Sequence, residues 1–176
     1  KTLVKPQYND SIGKTYETLT GIRTHMVKDA PTLATAYEMF ASWCESYGKE
    51  YEVYAWSDND YNQLVAEMKL KGYCNKQKMN PLLKWFDFQK EYTEKLGLER
   101  IISLKKAMNY AGVDFKGHMQ DALCDAKNTA ELFAIVRDEA RCNEVLKVVM
   151  DAFKPKNVSG TLGDMIDFGS LMAQLA

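Results

Sequence analysis

Residues 101–133 read IISLKKAMNYAGVDFKGHMQDALCDAKNTAELF, and the punctuation of that stretch decides the fold. A helical pattern ends at Gly112, Val113 and Phe115 carry the chain to Gly117, and Asp121 opens a second helix. On that helix Asp125 shares a side with Ala122 and Thr129. One acid therefore sits on a face of small residues, as a solvated or capping carboxylate or as a functional one.

Working upstream, Leu82 to Gln89 reads as a partly buried strand that leads into a helix ending near Gly97. Trp85, Phe86 and Phe88 belong to a core on composition. Residues 51–56, Tyr-Glu-Val-Tyr-Ala-Trp, are rich in β formers, and the Ser57-Asp58-Asn59 turn opens a helix from about Asp60 to Lys71. Asp60 then stands just beyond the carboxyl end of a strand, where open α/β sheets place their chemistry. Pro31 starts a helix that carries Leu33, Tyr37, Phe40, Ala41 and Cys44 on one face and ends at Gly48. Residues 2–5 make a short β-type run stopped by Pro6, and a polar, turn-rich connection follows. Between Lys69 and Lys84 five lysines (69, 71, 76, 78 and 84) occur without an acid, either as solvated surface or as the wall of a phosphate track.

Downstream, the helix from Asp121 continues through Leu132, Phe133 and Val136 to Phe153, with a break expected near Asp138 to Asn143. Residues 154–176 form a tail whose apolar spacing predicts one short amphipathic helix. It packs on its own domain or makes a dimer or partner contact. The expected organisation is a domain over 1–153 followed by that tail.

The chain has 176 residues, enough for one domain with a substantial core, and 46% hydrophobic and 27% charged residues mark it as globular. No apolar run approaches the ~18 residues of a membrane span. A net charge of −1 argues against nucleic-acid binding through an overall field, but not against a local site. Cys44, Cys74, Cys124 and Cys142 form neither a zinc pattern nor a disulfide framework, so free thiols in a reducing cytoplasm are expected.

Three strings change the weight of these acids. Phe115-x-Gly117 followed by Asp121-Ala122-Leu123-x-Asp125-Ala126-x-Asn128-Thr129-Ala130 resembles the third motif of the DEDDh 3'-5' exonucleases. Trp56-Ser57-Asp58-Asn59-Asp60 with Gln63-Leu64 resembles the second motif and selects Asp60 over Asp58. Leu19-Thr20-Gly21-Ile22 resembles the turn that borders the nucleotide site in that family. The likeness runs from Lys1 to about Phe133.

The resemblance implies an α/β, ribonuclease H-like mixed sheet flanked by helices, with strands near 2–5, 51–56 and 84–88. It implies two divalent ions, Mg²⁺ or Mn²⁺, with Asp60 and Asp125 among their ligands, and Leu19, Thr20, Gly21 and Ile22 in contact with a single-stranded DNA or RNA 3' end. The family's first motif, Asp-x-Glu in an apolar strand, does not occur, and two strands are expected to lie upstream of Lys1.

The family's water-activating His, five residues before the last Asp, is here Gln120. A carboxamide orients water but does not accept its proton near neutral pH. His118 is the alternative. If residue 118 lies in a loop it can bend toward Asp125. If it is already helical, it sits two turns, roughly 10 Å, away along the axis. The expected function is 3'-5' exonuclease, and the alternative is a weakened nuclease fold that binds nucleic acid or a partner.

Overall fold

The computed structural model describes residues 1–9, 11–48, 50–73 and 78–154. Two parallel strands, β1 (Val53–Ala55) and β2 (Trp85–Asp87), form its sheet, in the register Val53 with Trp85, Tyr54 with Phe86 and Ala55 with Asp87. The crossover between them carries α4 (Asn59–Leu70) and the short α5 (Asn80–Leu83). Before the sheet come α1 (Lys14–Thr20), α2 (Thr24–Val27) and α3 (Leu33–Glu45); after it come α6 (Phe88–Leu96), α7 (Leu104–Tyr110), α8 (Ala122–Arg137) and α9 (Glu139–Phe153).

Strand alternation sends Tyr54 and Phe86 to one face, where their rings stack at 5.2 Å. Tyr54 and Trp56 meet the larger core there, built from Phe88, Tyr92 and Leu96 of α6, Met108 of α7, Leu132, Ile135 and Val136 of α8 and Leu146 of α9. Trp85 points the other way, onto Tyr37 and Ala41 of α3 with Met68 and Leu82. Helices cover both faces of the sheet, as parallel strands require.

Several expectations meet the structure directly. Strands lie within 51–56 and 84–88, and the α8–α9 break falls at Asp138, whose side chain accepts from the Arg141 N–H. Cys44 and Cys142 are buried free thiols, while Cys124 is half-buried.

Others are corrected. The described sheet is wholly parallel and two-stranded, not mixed. Residues 2–5 are not a strand: among the described residues the run has no ladder neighbour, and the Lys5 N–H donates instead to the Pro31 carbonyl at 2.8 Å. Leu82 and Leu83 end α5 rather than begin a strand, because Pro81 fits a first helical turn. The polar stretch before Gly21 contains α1, which buries no residue and so carries no apolar signature. The expected tail helix lies outside the described residues, as does Cys74.

Candidate active site

Asp60 lies in the first turn of α4, immediately past the exit of β1. Gln89 fixes that exit: its N–H donates to the Trp56 carbonyl at 2.8 Å, and its side-chain Nε2 donates to the Ile102 carbonyl at 2.7 Å. Asp125 lies in the first turn of α8. That turn is closed by Asp121, whose Oδ1 accepts the Leu123 and Cys124 N–H groups, each at 3.0 Å, while its other oxygen pairs with the Lys1 ammonium.

The three carboxyls titrate differently. The Lys1 ammonium, then the Cys124 N–H, hold Asp121 down at about 2. Asp60 is exposed, yet the protein around it removes enough water to raise its pKa. Asp125 is raised by burial first, then by the charges of Asp121 and Asp60, against the Gln120 backbone N–H, which favours its ionised form. Asp60 and Asp125 are thus within electrostatic reach although they stand 65 residues apart. Among the described residues neither forms an ion pair with a cation.

The pair offers hard oxygen donors, which suit Mg²⁺ or Mn²⁺. Among the described residues no group of three or more His, Cys, Asp or Glu is arranged to hold an ion. Two carboxylates fit Mg²⁺ nonetheless, because it is commonly bound by one or two carboxylates plus waters and substrate phosphates.

The loop before α8 is laid onto that helix by Asn128, a fully buried side chain. Its Oδ1 accepts the Lys116 N–H at 2.9 Å, and its Nδ2 donates to the carbonyls of Lys116 at 2.9 Å and Cys124 at 2.7 Å. Gly117 follows at φ 89°, and a Cβ there would stand 2.5 Å from Cys124 Sγ.

His118 lies in this loop and not in the helix, with its side chain exposed. Its carbonyl accepts the Asp121 N–H at 3.3 Å. Gln120, also exposed, adopts φ 68°, a left-handed conformation uncommon outside glycine.

Leu19 to Ile22 close α1: Gly21 caps the helix at φ 71°, and the Ile22 N–H donates to Thr20 Oγ at 3.1 Å. Leu19 is 55% exposed.

The sequence reading did not assign Asn128 and Gln89 the parts they play here. Asn128 carried a signal, since a carboxamide one turn after Cys124 on a half-buried helix must find partners or cost stability. Of the Lys69–Lys84 run, Lys71 bridges Glu67, Lys78 bridges Glu45 and Lys84 lies over the Tyr51 ring, while Lys76 lies outside the described residues.

Helices on both faces of a parallel sheet, with acids gathered beyond a strand end, define an α/β protein of ribonuclease H-like architecture. The RNase T exonuclease profile matches residues 1–133, and the chain belongs to this family of DEDDh exonucleases. The fold is similar to that of cell-death related nuclease 4 (CRN-4), at 21% identity and TM-score 0.66 over 78% of this chain and 49% of that one. A full-length 3'-exonuclease matches at 17% identity and TM-score 0.69, over 79% of this chain and 47% of that one. The nuclease domain of 3'hExo, a DEDDh family member bound to rAMP, matches at 20% identity and TM-score 0.69, over 78% and 71%. The chain spans about half the length of the first two. No curated protein matches it by sequence. Among the described residues no helix is long and apolar enough to cross a membrane.

Proposed function

We propose that the chain is a metal-dependent 3'-5' exonuclease acting on single-stranded nucleic acid 3' ends, with Asp60 and Asp125 as ligands of divalent ions. What supports this reading is that two acids from separate elements lie within electrostatic reach of each other, both with raised pKa and, among the described residues, neither ion-paired. Such an arrangement costs stability unless a counter-ion comes to it. Two matched structures agree in substrate class: one concerns recognition of a histone mRNA stem-loop 3' end by a 3'-exonuclease, the other a nuclease domain bound to rAMP.

Divalent ions at such a site lower the pKa of the attacking water and stabilise the leaving 3' oxygen. The chain's own groups have separate tasks. Asp60 and Asp125 bind and orient, Leu19 to Ile22 border the terminal nucleotide, Gln120 orients water through its carboxamide, and the loop-borne His118 is the residue able to take its proton.

A second reading, a weakened nuclease fold that binds nucleic acid or a partner, rests on Gln120 in the base position. The test is trimming of 5'-labelled single-stranded RNA and DNA in Mn²⁺ by the protein and by its Asp60→Asn and Asp125→Asn variants. A ladder shortening from the 3' end that both variants abolish supports the enzyme. Unchanged trimming by either variant would remove that acid from the mechanism. Binding without any trimming by the parent protein would select the second reading.

A further inference from the structure

On either side of the Leu19–Ile22 turn in sequence, the chain lines a cavity of about 700 Å³, within the ~300 to 1,000 Å³ of ordinary ligand sites. Lys5, Arg23 and Lys28 supply three cations to its wall, against Glu17 alone, with Thr24 and His25 between them. In a protein of net charge −1 this is a local reversal of sign. Among the described residues none of the three cations has an ion-pair partner, whereas Lys71, Lys78 and Lys116 elsewhere are each held by a glutamate.

The wall is also built. The Lys5 N–H is bonded to the Pro31 carbonyl at 2.8 Å, and Thr24 Oγ accepts the Ile12 N–H at 3.0 Å, so the segments that carry the charges are tied to one another. Three unpaired cations around one cavity match an anion with several charges or a repeat of single charges.

We infer that this cavity, whose lining includes neither Asp60 nor Asp125, binds the backbone phosphates of the nucleic acid strand through Lys5, Arg23 and Lys28. The inference rests on the proposed exonuclease reading and extends it. The acids hold the end that is cut, and the cavity holds the strand that remains, which favours an oligonucleotide over a free nucleotide. Arg23 supplies a planar fork for two phosphate oxygens, and Lys5 and Lys28 act as point charges.

The test is fluorescence anisotropy of a labelled single-stranded oligonucleotide with the full chain in EDTA, where binding is read without turnover. The comparison set is the parent protein, an Arg23→Glu/Lys28→Glu variant, an Arg23→Gln/Lys28→Gln variant and Asp60→Asn. The charge reversal is expected to weaken binding at least tenfold. The neutral variant should lower the slope of log affinity against log salt by about 0.7 for each phosphate that is no longer neutralised. Thermal melting of both variants verifies folding, and an Arg23→Lys/Lys28→Arg variant should restore most of the affinity.

Loss of trimming in Asp60→Asn speaks to the acids and not to the cavity, whose three cations that variant leaves in place. Parent-like affinity and salt slope in both charge variants would overturn the cavity assignment while leaving the exonuclease reading standing. No oligonucleotide binding by the parent protein would overturn both. If nucleoside monophosphate competes as tightly as the oligonucleotide in the parent and loses affinity in the same variants, the occupant is a free nucleotide and the strand-holding role is overturned.

Discussion

Position 120 decides how fast the proposed chemistry can run. Gln120 sits at φ 68° with its side chain in solvent. Its amide holds a water but does not take a proton from it. Histidine is among the residues that tolerate a left-handed backbone, so Gln120→His should fold without added strain. A positioned base is typically worth ~10² to 10⁴ in rate, and the variant should accelerate Mn²⁺-dependent trimming by a factor approaching that range. His118→Ala should remove only the activity that His118 supplies. A His118→Ala protein that trims at the parent rate, alongside an inert Gln120→His, would show that neither residue is the base.

At the scale of elements, the site depends on how the 113–120 loop is seated on α8. Asn128→Ala would leave the Lys116 N–H and carbonyl without their partner, while the Cys124 carbonyl keeps its helical bond from the N–H of residue 128. At ~1 to 3 kcal/mol for a buried group left unsatisfied, partly offset by water, a loss of about 2 to 4 kcal/mol is expected from urea unfolding. Gly117→Ala combines a left-handed φ with a clash against Cys124 Sγ and should cost about 1 to 3 kcal/mol. Pairing it with Cys124→Ala should recover the steric part and leave the backbone part; no recovery would mean that the clash is relieved some other way.

These are interactions that periodicity does not reveal, since a pattern of apolar residues is silent on where a carboxamide points. The strands at 53–55 and 85–87 were legible because aromatic residues crowd both runs. The run at 2–5 is β-prone only through Thr2 and Val4 and has no ladder neighbour among the described residues, and a strand exists only as part of a ladder. Helix α1 was hidden for the opposite reason, since its sequence KTYETLT buries nothing. Asp60 and Asp125 could be placed on their helices from sequence, but their mutual approach depends on how α4 and α8 are set around the sheet.

For the molecule as a whole, the proposed reading makes the acid pair a place where stability is given up for binding, and that can be measured without any substrate. A carboxyl whose pKa is raised on folding binds its proton more tightly in the folded chain than in the unfolded one. The pair's own contribution to metal-free stability is therefore greatest below the unfolded value, near ~4, and falls as pH rises through the raised values of Asp60 and Asp125. Asp121 runs the other way. Its contribution is complete above the unfolded value and is lost as pH falls toward about 2.

When both acids of the pair are ionised they repel each other, and that repulsion can be relieved by substitution or by an ion. Asp60→Asn removes one of two like charges and should raise the metal-free Tm by about 1 to 3 °C, a small rise because Asp60 is exposed. Mn²⁺ should stabilise the parent protein by an amount that grows with its concentration, reaching about 2.7 kcal/mol at a hundred times the dissociation constant. That gain should fade as the solution is acidified through the carboxyl range, because protons and the ion compete for the same oxygens. In Asp60→Asn and Asp125→Asn most of the Mn²⁺ shift should disappear. A metal-induced shift of parental size in both variants, at unchanged pH dependence, would place the ion elsewhere on the chain.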